Sequence, residues 1–194
     1  MIIPAVLLLL LTIPVNLIQT LQYKKQILHW DSMDKQKYWD IFLKTKQQFN
    51  GMVWKKEFNF NDQNTKILYS ATAGEKTAGA NSVTEMYSEE AMKISGFEKV
   101  NVIQVTFKNN FSPEDETYIE LTIEDVQNGE RPYSHKVPLI HFQEEGLNKD
   151  HTGMFNFEVP LITPENKKVT LKAITKTGET RLKDLKINYL NLTY

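Results

Sequence analysis

The 194-residue sequence contains no cysteine. That removes disulfides, thiol catalysis and cysteine-ligated zinc together, and leaves the redox compartment open. It also has no excess charge of either sign. With 23 basic and 24 acidic residues the formal net charge is -1, so no sustained field draws the chain to nucleic acid or another polyanion, and no nucleic-acid partner is expected. Recognisable catalytic patterns are missing as well. His141 precedes Glu144 and Glu145 by three and four residues, but the second histidine of the zinc-protease helices is absent. Asn59, Asn61, Asp62 and Asn64 resemble part of a calcium loop, yet only one of them carries charge and no glutamate follows at the twelfth position, so they read as a polar turn. Ser88 and Ser95 have no neighbouring histidine and no Gly-x-Ser-x-Gly elbow. No catalytic residue, metal ligand or cofactor is expected.

What is present is concentrated at the start. Residues 1–23 carry no charged side chain, and Ile2, Ile3, Val6, Leu7 to Leu11, Ile13 and Val15 form a nearly unbroken apolar run. As a helix rising about 1.5 Å per residue this reaches roughly 33 Å, enough for a hydrocarbon core of about 30 Å. Asn16, Gln19 and Gln22 make its last third polar on one side. A cleaved signal peptide would need a basic residue before the apolar run and a small-x-small site after it, and neither is there. The expectation is a retained transmembrane helix over 1–23, or the last helix of a longer membrane protein, with other membrane helices as possible neighbours. An amphipathic segment over 24–51 follows. Asp31 or Ser32 can cap a helix, Tyr38, Phe42, Thr45 and Phe49 share one side of it, and Asn50-Gly51 ends it. Its stripe fits a membrane surface or partner and equally the chain's own domain.

From residue 52 the periodicity changes from 3.6 to 2. Ile119, Leu121 and Ile123 alternate with polar neighbours, as do Phe155, Phe157 and Val159, and Val169, Leu171 and Ala173. Further strands are predicted over 53–60, 66–70, 100–108, 133–141 and 182–192, with turns at Asn128-Gly129, Gly146, Pro164-Glu165-Asn166 and Thr177-Gly178. Residues 72–90 look like a surface loop. Eight or so strands with no helical pattern among them predict a mainly β domain over 52–194, an antiparallel β-sandwich or barrel.

Aromatic residues on the strands offer a candidate binding surface, because sugars bind by stacking on rings while amides and carboxylates read their hydroxyls. Trp54, Tyr118 and Tyr133 lie on predicted strands, the last two on the polar phase beside Glu120 and His135. These five residues are the candidate ligand site. The alternative is that the rings pack under loops or at a sheet edge.

The passage Ile13-Pro14-Val15-Asn16-Leu17-Ile18-Gln19-Thr20, then Gln22-Tyr23, Ile27-Leu28-His29-Trp30, Met33 and Tyr38-Trp39 resembles the exit from the last transmembrane helix of large multi-pass bacterial membrane proteins related to lipid-phosphate-sugar glycosyltransferases. The resemblance implies a C-terminal portion: a final helix, a juxtamembrane helix and an extracytoplasmic domain. The catalytic acid of that family lies in an early loop that has no counterpart here. Met154-Phe155-Asn156-Phe157-Glu158-Val159-Pro160, then 169–175, then Leu182-Lys183-Asp184-Leu185-Lys186-Ile187 closing the chain, is similar to the jelly-roll sandwiches of carbohydrate-binding modules. Lys183 and Met154 replace an acid and a tryptophan common in those modules.

The expectation is therefore a membrane-anchored, extracytoplasmic jelly-roll-like β-sandwich with no catalysis of its own. Its function would be that of an accessory domain contacting a glycan or lipid-linked sugar beside a glycosyltransferase-like membrane protein. The alternative is a protein-interaction or packing module that binds no sugar. Lys24 and Lys25 taken alone would place the domain in the cytoplasm, whereas the resemblance implies the outside.

Overall fold

A computed structural model describes residues 2–25, 27–28, 35–46, 65–109, 115–142 and 151–192, excepting the side chains of 2–11, 36, 37, 40, 109 and 151. The chain divides into two units, Met1–Glu57 and Phe58–Tyr194.

The first unit holds helices α1 (Ile2–Lys24) and α2 (Lys35–Ile41). Pro14 lies inside α1. Among the described residues no helix is long and apolar enough to cross a membrane. The described side chains of α1 begin at Thr12, in the part that Asn16, Gln19 and Gln22 make polar on one side. The second helix stops well short of the expected Asn50-Gly51, which lies outside the described residues. It ends at Ile41, where Leu43 takes a left-handed conformation with φ 60°, the backbone shape that terminates helices. The expected caps Asp31 and Ser32 also lie outside the described residues.

The second unit is an antiparallel sandwich of two four-stranded sheets. Its strands are β1 (Thr65–Ala78), β2 (Ser82–Glu90), β3 (Val102–Asn109), β4 (Thr117–Asp125), β5 (Tyr133–Pro138), β6 (His151–Glu158), β7 (Lys167–Thr175) and β8 (Thr180–Leu192). One sheet runs β1-β8-β3-β6 and the other β2-β7-β4-β5. The period-2 residues account for the core. Ile103, Val105 and Phe107 of β3, Leu185, Ile187 and Tyr189 of β8, Ile119, Leu121 and Ile123 of β4, and Val169, Leu171 and Ala173 of β7 are all buried between the sheets.

Three features depart from the sequence expectation. Residues 72–90 are not a loop: they complete β1 and form β2, joined through Asn81 at φ 53°. The pairing of β1 with β8 slips three times and that of β2 with β7 once, and such bulges destroy the alternation that would have revealed strands. The strand expected to continue to His141 ends at Pro138, and Leu139–Phe142 form a short 3₁₀ turn that buries Leu139, Ile140 and Phe142. In β8, Asp184 at φ 52° accompanies a shift of register, which lets Leu182 and Leu185, three residues apart, both point inward. The strand predicted over 53–60, the polar turn Asn59–Asn64 and the turn at Gly146 lie outside the described residues.

Candidate functional site

The candidate residues do not converge. Trp54 lies outside the described residues. In the pairing of β4 with β5, Ile119 stands opposite Val137, Leu121 opposite His135 and Ile123 opposite Tyr133. Directly paired residues share a face, so His135 and Tyr133 take the inward phase of β5, whereas Tyr118 and Glu120 take the outer face of the same sheet. The sequence suggested one polar phase for all four because Tyr133, Ser134, His135 and Lys136 are all polar. Only the partner strand fixes which of them turn inward.

On the outer face Tyr118 is 7% exposed. The Lys136 ammonium stands 4.5 Å from its ring centroid and that of Lys176 5.4 Å, a cation–π arrangement. Burial raises the affinity of its hydroxyl for the proton, and the Lys176 charge opposes this. Lys176 also pairs with Glu116 at 3.3 Å. Glu120 accepts a 3.3 Å hydrogen bond from Ser134 and stands opposite Lys136 and Lys172 in register. The ring that could stack on a sugar is thus already attended by two amines.

On the inner side, β5 and β6 are the edge strands of their sheets, and aromatic rings gather along them. The His135 ring lies 6.4 Å from Phe155, nearly parallel at 19°, and 6.1 Å from Phe157. Tyr133 lies 6.4 Å from His135. Phe142 closes the group at 5.1 Å from both Phe155 and Phe107. His135 is exposed and Phe155 half-buried, while burial and the nearby Glu158 charge hold the Tyr133 hydroxyl well above the usual tyrosine range. Gly153 makes this packing possible: a Cβ there would fall 2.7 Å from the Phe107 ring.

A third surface is one that the sequence analysis missed. Across the outer face of the β1-β8-β3-β6 sheet, Ser70, Asn188, Gln104 and Asn156 stand opposite one another in register on four successive strands. Ser70 Oγ donates to Asn188 Oδ1 at 2.8 Å, Asn188 Nδ2 to Gln104 Oε1 at 2.9 Å, and Gln104 Nε2 to Asn156 Oδ1 at 3.2 Å. The bonds all run one way, so each polarises the next. Every amide has two N–H groups and two lone pairs. Asn188 is buried and Gln104 Nε2 also donates to Met154 Sδ at 3.5 Å, so the spare capacity that reaches the surface lies at Ser70, Gln104 Oε1 and Asn156. Strand spacing of about 4.8 Å sets the rungs apart. Met154, Thr106, Lys186 and Thr72 form the adjacent row in register. The available signal was polar amides on the outward phase of three strands, but their alignment depends on register, which is not visible along the chain.

Among the described residues no group of three His, Asp or Glu comes together as a metal site. Chemically, the three surfaces can hydrogen-bond and stack.

The class defined by this geometry is, among the described residues, a two-sheet antiparallel sandwich of eight strands with polar and aromatic surfaces. No protein-family model and no curated protein matches the chain. Among solved structures, it is similar to the VP2 subviral particle of infectious bursal disease virus, with 13% identity, a TM-score of 0.40 and coverage of 64% of this chain and 33% of that one. It is also similar to the Eiger TNF of S. frugiperda, with 10% identity, a TM-score of 0.33 and coverage of 66% and 94%. Tailspike protein 4 of bacteriophage CBA120 matches at 9% identity and a TM-score of 0.33, covering 69% of this chain and 20% of that one. The chain thus spans 33% of the length of the capsid protein. Likenesses this slight say nothing of what the chain binds.

Proposed function

We propose that this chain is a non-catalytic, membrane-held jelly-roll sandwich on the extracytoplasmic side, serving as an accessory domain that contacts a glycan or lipid-linked sugar beside a glycosyltransferase-like membrane protein and its helices. The strand order β1-β8-β3-β6 and β2-β7-β4-β5 is what supports the jelly roll, in which eight strands distribute between two sheets. The observation that carries the glycan reading is the hydrogen-bonded row Ser70–Asn188–Gln104–Asn156. A flat, neutral array of amides on a rigid sheet matches the alternating donors and acceptors of sugar hydroxyls. Lys186 on one flank and Glu158 on the other give the surroundings no single sign, which favours neutral over anionic sugars.

The test is binding of the full chain in detergent micelles to an array of neutral oligosaccharides, followed by titration calorimetry on the best binder. Gln104→Ala should weaken it by about tenfold or more, since a polar ligand would leave buried groups unpaired. Tyr118→Phe should leave it unchanged. Loss on His135→Ala with Gln104→Ala unaffected would move the site to the aromatic edge. No binding to any sugar would favour the interaction module, for which the specific observation is the exposed apolar pair Ile67 and Val83 on the edge strands β1 and β2.

A further inference from the structure

The helical unit buries Ile27, Leu28 and Ile41 together with one polar side chain. Gln22 is 2% exposed, and its side-chain nitrogen donates to the carbonyl oxygens of Ile41 at 2.6 Å and Lys44 at 2.8 Å. Gln19 donates to the Tyr38 hydroxyl at 2.8 Å, and the Lys25 ammonium to the carbonyl of Thr45 at 2.6 Å. The pairs 19–38, 22–41 and 25–45 rise together, so α2 runs beside the last turns of α1 in the same direction. These donors cap carbonyls at and just beyond the end of α2, where the Ile41 carbonyl also accepts the Lys44 N–H at 2.9 Å. Leu43 at φ 60° is a backbone shape that costs a non-glycine residue energy and persists where its surroundings fix it.

The other side of α1 is exposed and carries an apolar stripe among polar residues. Ile13, Leu17 and Leu21 recur every fourth residue, which places them in one stripe. Leu17 is 66% exposed. At the level of Gln19 and Leu21 along the axis, α2 contributes Trp39, 57% exposed, whose ring makes edge contacts with Tyr38 and Phe42. Tyr23 and Leu43 are exposed as well. Asn16, Thr20 and Lys24 border the stripe, and Lys35 and Lys46 are exposed. In water, polar groups face out and apolar ones are buried. Leucines, an isoleucine and a tryptophan facing out are the surface a lipid environment favours, and the lysines complement anionic headgroups.

We propose that the paired helices α1 and α2 lie in the interface of an anionic lipid bilayer, with Ile13, Leu17, Leu21 and Trp39 toward the acyl chains and Lys24 and Lys35 among the headgroups. This rests on the membrane-held reading above and specifies which surface meets lipid. The test uses the full chain with vesicles of phosphatidylcholine, with and without phosphatidylglycerol. The chain should float with the vesicles, more so with phosphatidylglycerol and less at high salt. In a Trp30→Phe, Trp54→Phe background, acyl-brominated lipid should quench Trp39. Leu17→Glu with Leu21→Glu should lower the partition coefficient by more than about tenfold, because acidic side chains are strongly disfavoured in hydrocarbon. Wild-type chain that does not float at all overturns both the membrane reading and this surface. Flotation that survives the double substitution, with Trp39 unquenched, leaves the membrane reading standing and overturns this surface alone. A vesicle-free dimer that the double substitution converts to monomer, with Trp39 unquenched, overturns it in favour of a second copy of the chain.

Discussion

Ile187 and Lys186 are neighbours with opposite fates. Ile187 is fully buried beside Leu185 and Tyr189, while Lys186 is exposed on the outer face. Ile187→Ala removes buried methyl groups and leaves a cavity, so it should cost about 2 to 5 kcal/mol, whereas Lys186→Ala should change stability by less than about 0.5 kcal/mol. Denaturant titration of both variants checks this, and a more damaging Lys186→Ala would mean that the strand phase is reversed. Gly153 makes a different demand. Its missing Cβ leaves room for the rings of Phe107 and Phe142, so Gly153→Ala should be destabilising by about 1 to 3 kcal/mol through overpacking. Thermal melting would show this, and an unchanged midpoint would mean that the rings shift freely.

At the scale of elements, β8 holds its sheet together. It pairs with β1 on one side and β3 on the other and supplies Leu182, Leu185, Ile187, Tyr189 and Leu190 to the buried set. Each fully buried aliphatic side chain contributes about 1.5 to 3 kcal/mol, against a whole-domain stability of about 5 to 15 kcal/mol. Truncation at Arg181 should therefore abolish cooperative folding and expose two unpaired strand edges that promote aggregation. Circular dichroism melting together with light scattering tests it; a truncated chain melting cooperatively near the intact temperature would contradict the pairing. The end of α2 depends in a similar way on Gln22. Gln22→Ala would remove the side-chain donor shared by the Ile41 and Lys44 carbonyls, while Ile41 keeps the Lys44 N–H, and local protection against amide exchange in 35–46 should fall by roughly 1 to 3 kcal/mol.

For the whole sandwich, pH dependence is set by tyrosines between the sheets. Tyr87 and Tyr189 interact with each other in the interior without a well-formed hydrogen bond. Tyr69 packs on Tyr189 with ring centroids 5.6 Å apart. Burial pushes the Tyr87 hydroxyl from its usual 10.0 up to about 12, and burial raises Tyr133 and Tyr189 further still. A raised folded-state value means that the unfolded chain loses its protons first as pH rises. The stabilisation is complete below about pH 10 and declines through about pH 12. The melting temperature should therefore fall between those values, and Tyr87→Phe should lessen the fall. A fall of the melting temperature that Tyr87→Phe leaves unchanged would contradict the burial of this hydroxyl.

Alternating apolar residues along 119–123, 169–173 and 185–189 were enough to determine that these segments are strands and that the domain is mainly β, because a strand's two faces are written two residues apart in any sequence. The outer face of β4, expected to be wet, is instead buried at Tyr118 and Thr122. The charge-free start determined a helix at Ile2–Lys24 on similar local grounds. Bulged strands were hidden, since β1 and β2 carry their register shifts where the pattern would have to be read. Which residues meet was decided by tertiary structure alone. His135 turns inward because Leu121 stands across from it, and Ser70, Asn188, Gln104 and Asn156 form a row because four strands distant in sequence share one register. Register is a property of pairs of strands, and a single strand's sequence contains only its own half of it.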